Sequence, residues 1–148
     1  MRSKLLSNED LRGLRYLNDE ADNLRRKAVY LISSLVNEFG AGYSIGGLPR
    51  MTITKADEPS ILGEVTSDFG KGRFVTKFGT EGATIKAQLV VERAIVNQNG
   101  QETWEQVLAI PLPKLVWEVD GEPISDSDRT FVLGASVLHA IINGAADE

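Results

Sequence analysis

Residues 84–110 read TIKAQLVVERAIVNQNGQETWEQVLAI, and this stretch decides the fold class. Two runs, Thr84–Gln98 and Gln101–Ile110, flank the dipeptide Asn99-Gly100. Asn-Gly is favoured in two-residue type I′ turns, where both central residues need φ > 0 and the turn's twist suits the flanking strands. Taking it as the loop sets Gln98 opposite Gln101, Ile95 opposite Trp104, Val91 opposite Leu108 and Leu89 opposite Ile110. Three of these pairs join apolar partners on one face. The other face pairs Val96 with Thr103 and Ala94 with Glu105. A one-residue slip would exchange the two faces, so a register that sorts itself this way supports the hairpin. Arg93 falls on the apolar side, opposite Gln106. An arginine there is expected to snorkel to the edge of the core, and a functional arginine in a pocket is the less favoured reading.

Downstream, Pro111-Leu112-Pro113 ends the strand, because neither proline can donate to a ladder. Leu115, Trp117 and Val119 then alternate as a last strand before a turn at Asp120-Gly121. Ser125 to Asp128 offer overlapping N-caps for a helix over 127–143, with Gly144 as its stop. That helix leaves almost no polar face, so it is expected to be covered on more than one side. His139 lies within it and reads as a core histidine with one bonded ring nitrogen rather than a catalyst.

Upstream the period is two from Arg50 onward. Met51 and Ile53 alternate with threonines, Ile61–Thr66 forms a short run, and Phe74, Thr76 and Phe78 alternate with Arg73, Val75 and Lys77. Runs rich in Gly, Pro and Asp separate these segments as turns. Before them, residues 8–39 read as one long helix. Ser7 is the N-cap with Asp10 three positions on, and Phe39-Gly40 followed by Ala41-Gly42 gives the stop, because glycine enters a left-handed conformation without steric cost. Leu14, Leu17, Ala21, Leu24, Ala28, Leu31 and Leu35 recur at steps of three and four, an a/d heptad seam. Past Lys27 a second stripe, Val29, Ile32 and Val36, widens the apolar face, which predicts burial against the body of the chain.

Length sets the problem for this helix. At ~1.5 Å per residue it measures about 48 Å, whereas a compact domain of this size is roughly 38 Å across. It should overhang unless it breaks within Asn18–Asn23, a run of poor helix formers. The overhanging seam then needs a cover, either a second copy of the chain or the chain's own sheet. The expected fold is α+β in one domain, 1–148. It comprises the long N-terminal helix, an antiparallel meander of five or six strands over 50–120, and a buried C-terminal helix.

Composition removes much chemistry. The chain has 148 residues, no cysteine and one histidine. That excludes a disulfide framework, a thiol nucleophile and the common zinc sets within one chain. No apolar run approaches the roughly 20 residues that span a bilayer, and no secretory signal opens the sequence, so a cytoplasmic protein without membrane contact is expected. The net charge is −5. Residues 1–74 carry 11 Lys+Arg against 10 Asp+Glu, and residues 75–148 carry 5 against 11. This balance argues against a duplex nucleic-acid binder.

The motifs are weak. Gly40–Gly47 follows a helix and precedes a strand, the reverse of a phosphate loop. Asp68-Phe69-Gly70 stands without the rest of the kinase signature. The carboxylates Glu92 and Glu105, or Glu118 and Asp120, read as solvated surface. Lys71, Arg73 and Lys77 share one parity, with Phe74 and Phe78 facing away. The row can therefore be a solvated face, a charged edge strand that deters aggregation, or a platform for single strands.

No cofactor and no metal is called for. The expectation is a non-catalytic, self-associating protein, with a homodimer favoured. It would pair through Leu14, Leu17, Ala21, Leu24, Ala28 and Leu31 and bind another macromolecule, a protein, as an adaptor, chaperone, inhibitor or small assembly subunit. The runner-up is a single-stranded nucleic-acid binder using Lys71, Arg73 and Lys77. The third is a small-ligand carrier or metal-independent enzyme with a pocket between sheet and C-terminal helix, built on Arg93 or His139.

Overall fold

The computed structural model describes residues 5–58, 60–82, 84–112 and 118–144. It is α+β, as the sequence predicts. Helix α1 spans Asn8–Phe39 without a break, so the Asn18–Asn23 run does not interrupt it. Its start is a full capping box. The Ser7 N–H donates to Asp10 Oδ2 at 2.9 Å and the Asp10 N–H donates to Ser7 Oγ at 3.1 Å. Its end falls at Phe39, and of the two glycines of the stop Gly40 is right-handed (φ −74) while Gly42 makes the left-handed turn (φ +76).

Five strands follow in chain order, each antiparallel to the last: β1 Met51–Glu58, β2 Ile61–Ser67, β3 Gly70–Glu81, β4 Thr84–Val96 and β5 Glu102–Leu112. The basic strand β3 is thus the central one, and its charges guard no edge. A separate two-stranded ladder, β6 Glu118–Val119 with β7 Glu122–Pro123, closes around Asp120 (φ 51) and Gly121 (φ 80). Positive φ at both positions is the type I′ requirement. The proposed strand residues Leu115 and Trp117 lie outside the described residues. Helix α2 covers Arg129–Asn143, and Gly144 is its C-cap.

Both helices pack on one face of the meander. Met51, Ile53, Val65, Phe74, Ala87, Leu89, Val91, Ile110 and Leu112 from the strands meet Leu24, Ala28, Ile32, Leu35 and Phe39 from α1 and Leu133, Val137, Leu138 and Ile141 from α2 in one core cluster. Helix α2 comes close to α1 because Gly134 has no side chain. A Cβ there would overlap the Phe39 ring.

The β4–β5 hairpin shows where sequence reading fails by one residue. Far from the turn the register is as predicted: Val91↔Leu108 and Leu89↔Ile110. Near the turn it is not. Val96 faces Glu102, Ala94 faces Trp104 and Arg93 faces Glu105. The loop is Gln98-Asn99-Gly100, one residue longer than a type I′ turn. The Gly100 N–H donates to the Asn97 carbonyl at 3.0 Å, the Asn97 N–H to the Gln101 carbonyl at 2.9 Å, and Gly100 takes φ +77. This is a type I turn closed by a glycine bulge, the usual three-residue alternative. The Asn97 side chain fixes it by accepting from the N–H groups of Asn99 and Gln101, each at 2.9 Å. A second bulge at Val107, where the pairing shifts between Val91 and Glu92, restores the register beyond it.

Candidate functional site

Two surfaces hold the candidate residues, and α1 carries the first. Its seam divides at Leu24. Leu24, Ala28 and Leu35 are buried at 5, 0 and 0 % exposure, and Leu31 packs partly against the same cluster. Leu24, Ala28 and Leu31 therefore belong to the chain's own core and leave the candidate pairing surface. Arg25 lies on the sheet-facing side with its guanidinium 5.2 Å from the centre of the Phe78 ring, and it bonds Asp22 at 2.7 Å. Toward the N-terminus, Ala21 and Leu17 are half-buried and every residue from Asn8 to Tyr16 is exposed. Leu14 is 52 % exposed and Leu11 39 %. Helical spacing places Leu14, Leu17 and Ala21 on the same stripe as the buried residues beyond them. Among the described residues, Leu14, Leu17 and Ala21 are not part of the core cluster that takes the stripe from Leu24 onward.

The second surface is the sheet face away from the helices. Lys71, Arg73 and Lys77 stand on it in a row, as their parity predicts. Phe74 is on the other face in the core. The one-residue register shift brings Trp104 out onto this face, where sequence reading had paired it inward with Ile95. It lies across small Ala94, with the Arg73 guanidinium 4.1 Å and the Lys71 ammonium 6.0 Å from its ring centre. Each basic group also has an anionic or polar partner. Lys71 pairs with Glu102 at 2.8 Å, Arg73 Nε with Glu92 at 2.8 Å, and Lys77 with Gln106 at 3.0 Å. Val90, flanked on this face by Val75 and Ala109, is fully buried beneath the layer.

The remaining candidates separate. Arg93 does not enter a pocket. Its Nε donates to Glu105 Oε2 at 3.0 Å, and a terminal nitrogen donates to the Ile141 carbonyl at 3.3 Å, so it ties the last turn of α2 to the hairpin. A cation at a helix C-terminus also meets the dipole favourably. His139 is exposed rather than in the core. Glu92 and Glu105 point to opposite faces and serve different arginines. Among the described residues no group of three His, Asp or Glu could hold a metal ion, and no helix is long and apolar enough to cross a membrane. No protein-family model, no curated protein and no solved structure matches the chain.

Proposed function

We propose that this chain is a non-catalytic, self-associating protein that pairs with a second copy through the bare half of α1 and, as that assembly, binds another protein. The observation that carries the reading is the division of one apolar stripe, sealed from Leu24 onward and exposed at Leu14 and Leu11. The seam spacing supports a second copy as the cover, since Leu14, Leu17 and Ala21 continue at the a/d positions through which helices pair.

The test is solution mass by light scattering on wild type and on Leu14→Glu/Leu17→Glu. Leu24 is left intact because it belongs to the core. A wild-type dimer or larger species and a folded, monomeric variant are expected. A wild type that stays monomeric at high concentration refutes the reading.

A second reading, a single-strand platform on the open sheet face, gains support from Trp104 beside Arg73, since stacking aromatics are how sheets hold bases. The ion pairs to Glu92 and Glu102 weigh against it. Binding of a single-stranded oligonucleotide that is unmoved by salt and by Lys71→Ala/Arg73→Ala would end it.

A further inference from the structure

A cleft of about 730 Å³ lies between the middle of α1 and the start of α2, closed below by the end of β5. Nothing in the pairing of α1 uses it. Its floor is apolar, made by Leu31, Leu112 and Leu133. Its rim is basic. Arg26 and Lys27 project from α1, and Arg129 faces them from α2. The acidic group lining it, Asp126, is held by Arg129 at 3.0 Å. Among the described residues, Arg26 and Lys27 form no ion pair, a property they share with Arg12, Arg15, Arg50 and Lys55; what sets Arg26 and Lys27 apart is that both line this cleft. Tyr30 stands at the same rim, 72 % exposed, a flat ring and a hydroxyl with no bond to the protein among the described residues. Two cations without an ion pair thus lie at the rim of a cleft with an apolar floor. The volume is that of a small-molecule site.

We propose that this cleft binds a small organic phosphate. Arg26 and Lys27 would hold the phosphate, and Leu31, Leu112, Leu133 and Tyr30 would take an apolar or aromatic body. The chemistry selects this class. A phosphate offers the acceptor oxygens that guanidinium and ammonium groups match with short, charge-assisted hydrogen bonds. An inorganic ion alone would leave the apolar floor wet, and an uncharged ring would leave both cations unmet.

Phenyl phosphate is a suitable probe, with inorganic phosphate and phenol as its two halves, all at matched ionic strength. Calorimetric titration and thermal unfolding of the full chain are the readouts. Phenyl phosphate should bind and raise Tm with concentration, as any ligand selective for the folded state must. Inorganic phosphate and phenol should each bind more weakly. Arg26→Gln/Lys27→Gln, at exposed positions that leave the core intact, should weaken phenyl phosphate by roughly tenfold or more. The proposal is overturned if phenyl phosphate neither binds nor shifts Tm. It is overturned equally if the variant binds as wild type does, or if inorganic phosphate or phenol matches the whole molecule. Solution mass plays no part in these readouts, so the cleft can fail while the pairing of α1 stands, and the reverse.

Discussion

From Leu24 to Phe39 the apolar face of α1 lies on the sheet and against α2: Leu24, Ala28, Ile32, Leu35 and Phe39 are buried and Leu31 half-buried, while Val29, expected to be buried with them, is 43 % exposed. From Asn8 to Tyr16 the same helix is exposed on every side, Leu14 included. The leucine and alanine seam runs through both halves, and in sequence only the second stripe past Lys27 sets them apart. In the structure they differ in cover: Leu24, Ala28, Ile32, Leu35 and Phe39 belong to the core cluster shared with the sheet and α2, and among the described residues none of α1 before Leu24 does. A heptad seam states what a helix can bury. What it does bury is set by the reach of its neighbours. Helical structure in the bare half rests on its cap, its propensities and whatever partner covers it, because short helices without tertiary packing are marginal in water.

The most direct way to break this comparison is a pair of truncations. Leu35→Ala opens a cavity at a site with 0 % exposure and is expected to cost about 2–5 kcal/mol of unfolding free energy. Leu14→Ala removes a half-exposed side chain. In protein dilute enough to be monomeric it should cost less than about 0.5 kcal/mol. Urea unfolding followed by circular dichroism measures both. If Leu14→Ala proves as costly as Leu35→Ala in the monomer, the N-terminal half packs on the chain itself in solution, and the contrast between the halves disappears.

What could be read in advance divides along the same physical line. The limits of α1 were legible because caps are local. Ser7, Asp10 and the glycines after Phe39 act within a few residues of themselves. The inner face of the meander was legible because a period of two is also local. The start of burial was legible to within a turn: the second stripe past Lys27 points to it, and Leu24, one turn earlier, is already buried. The hairpin is the harder case. Asn99-Gly100 is compatible with either a two- or a three-residue loop, since both need a glycine at positive φ. The Asn97 side chain, which accepts from two backbone N–H groups, decides for the longer one. Near the turn that choice sends Trp104 to the open face and sets Arg93 opposite Glu105. The Val107 bulge then hides the shift from the apolar pairs further along. The aromatic member of the open-face constellation was therefore invisible from the sequence, while Lys71, Arg73 and Lys77 were not. The cleft was also missed. Arg26 and Lys27 read as the polar side of a helix until the start of α2 is placed opposite them.

The smallest expected effect sharpens the comparison most finely, because it should be confined to the bare half. Asp10 sits below the usual carboxylate range. The main cause is the Ser7 backbone N–H that its side chain accepts, and the Ser7 hydroxyl adds to it, while slight desolvation opposes both. A carboxylate whose folded pKa is depressed stabilises the folded form above its unfolded pKa. That contribution is lost as pH falls through the folded value. Here the structure at stake is the first turns of α1, where every residue from Asn8 to Tyr16 is exposed. The Cα chemical shifts of residues 8–16 should therefore move toward coil values as pH drops below the ordinary carboxylate range, in dilute protein. Those from Leu24 to Phe39 should stay helical. Ser7→Ala should produce the same local fraying at neutral pH, since it removes the hydroxyl side of the capping box. A midpoint at or above the ordinary carboxylate value would show that the box does not hold Asp10 in solution. Fraying that spreads to Leu35 would show that the two halves of the helix are one cooperative unit after all.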